Sequence, residues 1–475
     1  MRKLLDFTWA ALVPVAAAAA VLAAIGCGGV SSPPEPHLIP GGGVADGKIS
    51  GNLNVYAIDE ETGTVISSAS VRVGASSDPA ACTLLTDSTG LAKFDSKVCP
   101  GLKGPVTVTT SAQRYAPVTW IGVNGVNLTI GLRNTNPPPV DMATVSGTIA
   151  GWDSLPVPPA NHQTLALVGY AQSNTLGDRA NDITQGMRTI VVGNQSPMIM
   201  SNLCVLNAAV SDCNWSLQTR TGLQALYALI VDHYNNLTPN DDTDDTFTVT
   251  GWAIKRGLTF SKGQTVNGET LEMIADSDAQ NLTVSFAALP SGMNYLGAFP
   301  ALELGNEGRI PLAAPALDMT HTTTRIPKAT GVLNGITYSL IAQAQDAKDM
   351  ARPASLAWLH DINVAATVPV ASWLAPPSAI SATNGTFSFS AVPGATIQQG
   401  ELQDANGNRL WAVTVFDGST SFTLPGLSPD PLPTGTLTFE ASALLIPGID
   451  LGNFTVDDVR DRIAGSAQDD VTFTR

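Results

Sequence analysis

The sequence predicts an all-β protein made of tandem β-sandwich domains. Short runs of alternating apolar residues recur about every 8–12 residues with turn signals between them, the spacing of sandwich strands. The chain is punctuated by 43 glycines and 32 prolines, which mark turns and loops. Only 13% of its residues are charged, against about 25% in a typical soluble protein. An apolar N-terminal segment and Pro/Gly-rich linkers account for part of that low figure, and exposed strand faces built from Thr, Ser, Asn and Gln for the rest.

The 475 residues are 44% hydrophobic, enough for sizeable cores and too much for disorder throughout. Length alone suggests about three domains, at roughly 150 residues each. Forty acids against 24 bases give a formal net charge of −16. An acidic chain without basic runs gains nothing from a phosphate backbone, so nucleic acid is excluded as a partner.

The first segment sets the compartment. Arg2 and Lys3 precede an apolar run from Phe7 to Ile25, rich in Ala from 16 to 20. It ends in Ala24-Ile25-Gly26-Cys27. A basic start, an apolar core and small residues before a cut describe an export signal. The Cys after small residues resembles the bacterial lipoprotein lipobox, with Ala24 where that family prefers Leu. The resemblance implies a signal peptide over 1–26 and a diacylated Cys27 that carries chains of the palmitate type. Each buried CH₂ contributes about 0.8 kcal/mol, so two or three chains anchor durably. An uncleaved membrane span is the other reading, because about 20 apolar residues can cross a bilayer. Both readings place the remainder outside the cytoplasm. In lipoproteins an Asp after the Cys favours inner-membrane retention; Gly28 stands there, which implies the outer membrane. Residues 27–46 form a linker, whose text SSPPEPHLIPGGG joins stiff Pro-rich and flexible Gly-rich pieces and includes a solvated His37.

Apart from Cys27, the cysteines are 82, 99, 204 and 213. An even number in an exported chain points to disulfides. Three connectivities exist, and proximity favours Cys82–Cys99 and Cys204–Cys213. A closed loop of about 15 residues contributes about 3 kcal/mol by chain entropy. Zinc is the alternative, although no CxxC occurs and no His lies near either pair.

Residues 47–134 form the first domain. Leu53, Val55 and Ala57 alternate before a turn at Glu60-Glu61-Thr62-Gly63. Val71 and Val73 flank Arg72, and Asp87-Ser88-Thr89-Gly90 turns between Leu84-Leu85-Thr86 and Leu91-Ala92-Lys93-Phe94. Pro105 to Thr110 has strict period two. Asn124-Gly125 reads as a hairpin turn between Val118–Ile121 and Val126–Leu132. The order of Tyr56, Gly63, Ala69, Val71, Val73, Thr86, Asp87, Gly90, Phe94 and Tyr115 resembles the carboxypeptidase regulatory-like domain. That family has a transthyretin-like β-sandwich and supplies no catalytic residue. Arg114 stands where it usually has Gly. The Cys82–Cys99 bond would brace the Asp87–Gly90 hairpin. Asn134 to Pro139 is a linker, since stacked prolines hold the chain extended.

Residues 142–290 read as a second β domain with no motif of a known family. Gln224 to Asp232 (QALYALIVD) fits a short helix or a strand, and the loop after it favours a strand. Residues 291–475 form a third β-rich region with a short helix expected at Ile341–Met350 and another at Val456–Ile463. Phe387 and Phe389, the turn Gln403 to Asn408, then Trp411, Val413 and Val415, and Phe422-Thr423-Leu424-Pro425 resemble fibronectin type III-like text. The resemblant part is about 380–475, and Ile397 stands where that pattern has Tyr.

No chemistry announces itself. His37, His162, His233, His321 and His360 are never spaced i, i+4, and no GxSxG, HExxH or Walker loop occurs. No catalytic residue is therefore assigned. The densest acidic cluster is Asn240 to Asp245. It reads as a solvated loop, or as a calcium site of Asp241, Asp242, Asp244 and Asp245, calcium taking six to eight oxygens. No other cofactor is expected. Trp120, Trp152, Trp215, Trp252, Trp358, Trp373 and Trp411 read mainly as core, with sugar stacking as the alternative; Trp373 is the least strand-like.

The expected protein is a non-catalytic, lipid-anchored envelope module of structural or adhesion type. Its expected contacts are the membrane through Cys27 and an envelope protein or glycan. The alternatives are a carbohydrate-binding accessory lipoprotein and a secreted hydrolase with an unrecognised site.

Overall fold

The computed structural model describes residues 45–46, 48–59, 64–75, 78, 81–136, 141–171, 203–206, 213–234, 246–312, 317–383, 385–452, 454 and 462–475. Its regular structure is strand, joined by short 3-10 turns such as Trp152–Ser154 and Gly331–Leu333. No helix of the described residues is long and apolar enough to cross a membrane.

The first sandwich has one sheet ordered Ala45–Asp46, Asn127–Leu132, Leu53–Asp59 and Leu91–Phe94. Leu53–Asp59 runs parallel to Asn127–Leu132. Facing it are Ser70–Val73, Cys82–Leu85, Val106–Ser111 and Val118–Val123, which belong to a much larger sheet. Leu53, Val55, Val71, Val73, Phe94, Val108, Trp120, Leu128 and Ile130 fill the space between.

Two expected hairpins are instead crossovers between sheets. The strands on either side of Asn124-Gly125 lie in opposite sheets and do not pair with each other. Trp120 and Val123 on one side, and Leu128 and Ile130 on the other, enter the same core from opposite walls. Pairing the two strands side by side would bring both sets to one wall and leave the other uncovered. The Asp87–Gly90 turn likewise carries the chain from one wall to the other. Its Asp87 carboxylate accepts from the Thr89 amide at 2.7 Å and from the Leu91 amide at 3.2 Å. Gly90 has φ +76°, and a Cβ there would sit 2.9 Å from the Ala57 carbonyl oxygen.

The Cys82–Cys99 bond is formed. It therefore closes a loop that crosses the sandwich rather than bracing a hairpin. Replacing both cysteines by Ser is expected to lower stability by about 2–4 kcal/mol, read from urea unfolding. An unchanged midpoint would show that the crossover is held by packing alone.

In the middle of the chain, Asn214–Arg220, Met142–Ala150 and Thr265–Glu272 form one sheet. Leu203–Leu206, His162–Tyr170, Gly222–Tyr234 and Thr246–Phe260 form another. Val145, Trp152, Val168, Trp215, Leu217, Ala228 and Ile230 pack between them. The segment Gln224–Asp232 lies within the strand Gly222–Tyr234. Its continuous apolar text follows from burial on both faces. Ala228 and Ile230 face the core just described, while Tyr227, Leu229 and Val231 face a second one. That second core also takes Leu282, Val284, Leu302, Leu340 and Ala342, so one core spans both sides of residue 290.

The largest sheet has twelve strands. From one edge they are Arg309–Pro311, Tyr295–Glu303, Thr337–Asp346, Asp349–Leu359, Gly465–Thr474 and Thr436–Leu445. Then follow Ile397–Gln403, Arg409–Val415, Val118–Val123, Val106–Ser111, Ser70–Val73 and Cys82–Leu85. The short helix expected at Ile341–Met350 is instead part of two antiparallel strands. Leu340, Ala342 and Ala344 alternate with Gln343 and Gln345, and all five are buried, an arrangement that period two provides and a helix does not. The helix expected at Val456–Ile463 falls largely outside the described residues.

The join between first and last parts is a parallel pairing, Ala412↔Val118 to Val415↔Ile121. The Trp411 indole N–H donates to Thr119 Oγ1 at 3.0 Å across it. Gly122, with φ +76°, lets Asp417 approach where a Cβ would lie 2.5 Å from the Asp417 Cβ. On the opposite face of the C-terminal strands, Phe387, Phe389, Trp411, Val413, Phe422 and Phe439 make a compact aromatic core.

Candidate functional site

The sequence-derived sites divide by position. Cys27 and Asp241, Asp242, Asp244 and Asp245 lie outside the described residues. Cys204 sits in the strand Leu203–Leu206, with Ala166 as its neighbour across the ladder. Cys213 is buried and disulfide-bonded. Among the described residues, no group of three or more His, Cys, Asp or Glu is placed to hold a metal. His162 pairs with Asp232 at 2.9 Å and stacks on Tyr234. His321 lies in a tight turn on Asp318. There, burial opposes ionisation of Asp318, but hydrogen bonds from Thr320 and His321 prevail and lower its pKa to about 2. Trp120, Trp152, Trp252 and Trp411 are fully buried, and Trp373 packs against the second core.

The residues that the register brings together lie on one face of the twelve-stranded sheet. Residues opposite one another in a ladder share a face. Tyr295 is opposite Gln345, Gln345 opposite Ala354, and Ala354 opposite Gln468. Gln468 is opposite Ser442, Ser442 opposite Gln399, and Gln399 opposite Thr414. The result is a row across seven strands, in which amides on alternate strands are separated by Ala354 and Ser442. From Gln345 to Thr414 every member is buried. At strand spacings of about 4.8 Å, successive amides stand about 9.6 Å apart. Gln343 lies on the same face, one step along its strand, opposite Leu356.

Several of these amides lack a protein partner. Both polar atoms of Gln343 and of Gln399, and Nε2 of Gln468, have no hydrogen bond. A buried polar atom left unpaired costs about 1–3 kcal/mol. The charged residues beside the row are satisfied by contrast. Glu401 accepts from Arg409 Nε at 2.7 Å and from Gln403 Nε2 at 2.9 Å.

At the near end of the face, Arg309 pairs with Glu303 at 2.5 Å and lays its guanidinium 4.3 Å from the Trp358 ring centre. The Ser339 hydroxyl donates to Glu303. The His360 ring stacks on Trp358 at 5.1 Å, and its Nε2–H donates to the Ile463 carbonyl at 2.8 Å. Trp358 is thus engaged by protein cations and rings. A serine, a histidine and an acid are neighbours here, but the hydroxyl donates to the carboxylate, not to the imidazole. No Ser–His hydrogen bond of the kind that activates a nucleophile is formed.

Burial pushes the His360 pKa below 6.5, and Arg309 adds to the effect against Ile463, Glu303 and Asp361. The unfolded chain takes up this proton more readily than the folded one. Stability contributed by neutral His360 is full above pH 6.5 and falls as pH drops through the lowered value. His360→Gln is expected to flatten the stability profile between neutral and mildly acid pH. Equal slopes in denaturant titrations of both proteins would contradict this.

Comparison with known proteins adds little to this all-β, sandwich-built chain. No family model matches it and no curated protein is similar to it. The Bacillus anthracis TIE protein is 9% identical with a TM-score of 0.14, over 68% of this chain and half of that one. A tetra-tandem repeat from the extending region of a large adhesion protein is 13% identical, TM-score 0.14, covering 89% of this chain and 99% of that one. Two B repeat units of the Staphylococcus aureus collagen binding protein are 12% identical, TM-score 0.12, covering 85% and 97%. At such values the likeness carries no functional argument.

Proposed function

We propose that the chain is a lipid-anchored cell-envelope protein acting as a non-catalytic structural or binding module. The observation that carries this reading is the N-terminal text, in which Arg2-Lys3, the apolar run and Ala24-Ile25-Gly26-Cys27 precede a Pro/Gly spacer. The spacer leads into an all-β body in which strands of the first and last parts of the chain pair in one sheet. A lipid on Cys27 holds such a body at the outer membrane, where its acidic surface would be repelled by anionic headgroups. The carboxypeptidase regulatory-like and fibronectin-like resemblances belong to the same reading, as does a Cys204–Cys213 bond.

Metabolic labelling with a fatty-acid analogue tests it. The intact protein is expected to be labelled and to sediment with membranes, and Cys27→Ser to be unlabelled and released. An unlabelled intact protein rules out the lipid anchor. A calcium site at Asp241, Asp242, Asp244 and Asp245 predicts a higher Tm in millimolar calcium than in chelator, and an equal Tm removes it.

A further inference from the structure

We infer that the strand Cys82–Leu85 is the place where two copies of this chain join, each strand pairing with its counterpart across a two-fold axis. The inference goes beyond the envelope-module reading and does not depend on Cys27. Cys82–Leu85 is the last strand at one end of the twelve-stranded sheet, with Ser70–Val73 on one side and no strand on the other. Its text, Cys-Thr-Leu-Leu, contains none of the charges or prolines that commonly blunt such an edge. Leu85 is 64% exposed. Two further exposed apolar residues lie by the strand. Val98, 41% exposed, is next to the Cys99 that is bonded to Cys82. Val65, 39% exposed, precedes Ile66, whose carbonyl accepts from Thr86 Oγ1 at 2.7 Å. An exposed apolar patch centred on an open edge marks an interaction surface.

Charge and topology select the partner. The chain carries −16 overall, so two copies repel over most of their surface. Residues 64–103, which contain this edge, hold four bases, Arg72, Lys93, Lys97 and Lys103, against three acids, Asp78, Asp87 and Asp95. Two copies can therefore meet here without that repulsion. The opposite end of the sheet is blunted: Arg309–Pro311 is three residues long, its Pro311 lacks an N–H, and Arg309 is paired with Glu303. Head-to-tail growth would need that end, whereas a two-fold pair uses the open edge twice and closes. The ladder also sets the register. The Thr86 N–H donates to the Ala69 carbonyl at 2.8 Å, and the Gly74 N–H to the Thr107 carbonyl at 2.8 Å. Main-chain groups alternate sides along a strand. Those of Cys82 and Leu84 therefore face Ser70–Val73, and those of Thr83 and Leu85 face outward. Across the axis Thr83 of one copy then lies opposite Leu85 of the other, each such pair exchanging both hydrogen bonds, and Leu84 meets Leu84 at the axis. Leu84 already packs against the first core, and that apolar contact continues from one copy into the next.

The test is sedimentation velocity of the full chain in a density-matched detergent, from nanomolar to high micromolar concentration, with amide hydrogen exchange at both extremes. A monomer–dimer equilibrium is expected, with the Thr83 and Leu85 amides protected at high concentration and released on dilution. Leu85→Lys is expected to weaken the dimer about tenfold or more, because pairing would bury the new charge. Its Tm should be unchanged, because the side chain is exposed in the monomer. Thr83→Pro removes an outward N–H and no bond to Ser70–Val73, and should weaken the dimer as well. Should either variant unfold, the exchange pattern of the unaltered protein decides. A chain that stays monomeric overturns the inference, as does a dimer with these two amides equally open at both concentrations. Undiminished dimerisation in folded variants, or growth past the dimer, overturns it too. A monomer whose two amides are protected only by an added alternating Thr-Val peptide assigns the edge to another protein and also overturns it. Every one of these outcomes can be read in Cys27→Ser, so failure here leaves the anchor test intact.

Discussion

A fragment of residues 45–136 expressed alone is expected not to fold stably. Its sandwich core is completed from the far end of the chain by Ile397, Ala412, Leu444, Ile446, Phe454 and Ile463, all buried. Its strand Val118–Val123 also loses the partner Arg409–Val415. Full burial of a large apolar side chain contributes about 1.5–3 kcal/mol. Losing several such contacts is comparable to the whole net stability of a domain, about 5–15 kcal/mol. The fragment should therefore show weak near-UV dichroism and no cooperative melt, even with the Cys82–Cys99 bond formed. A cooperative transition would mean that the first sandwich is self-sufficient and the C-terminal residues merely lie against it.

The second large effect is expected at Arg409. Its side chain is 1% exposed and that of Glu401 8%. Arg409→Met leaves the Glu401 carboxylate buried with only the Gln403 amide for support, and should destabilise by about 3–5 kcal/mol. Joint replacement of Arg409 and Glu401 by Met removes both charges and should recover most of that loss. Urea unfolding of the two variants distinguishes the cases. A single-variant cost near that of an exposed pair, about 0–1 kcal/mol, would show that solvent reaches the carboxylate.

The strands themselves were legible because alternation reports a face. Leu53, Val55 and Ala57, or Trp411, Val413 and Val415, carry the period of a pleated strand in their own text, and each set is buried. Alternation failed where both faces are covered. In Val106–Ser111, Thr109 and Thr110 are as buried as Val108, and Thr109 meets Thr119 at 3.0 Å. The helix expected at Ile341–Met350 failed for the same reason. Ala and Gln between apolar residues suit a helix by propensity, but burial on both sides of a sheet overrides propensity.

The amide row was partly visible. Gln at alternate positions of apolar text occurs in LIAQAQD, around Gln343 and Gln345. Gln399 and Gln468 lie in similar settings, IQQGE and SAQDD. Each could be read alone as a solvated strand face, whereas the ladders make them one buried row.

By itself, the sequence determined the all-β, sandwich-built class of this chain, where most strands and turns fall, which two cysteines close the first loop, and that its N-terminus resembles a lipid-anchored one. Only the tertiary structure decided which strands are neighbours. It placed Val118–Ile121 beside Ala412–Val415 and turned two expected hairpins into crossovers. Main-chain hydrogen bonds are alike in every strand, so a strand's text does not name its partner. The choice is made by which side chains fill a shared core once the whole chain has folded.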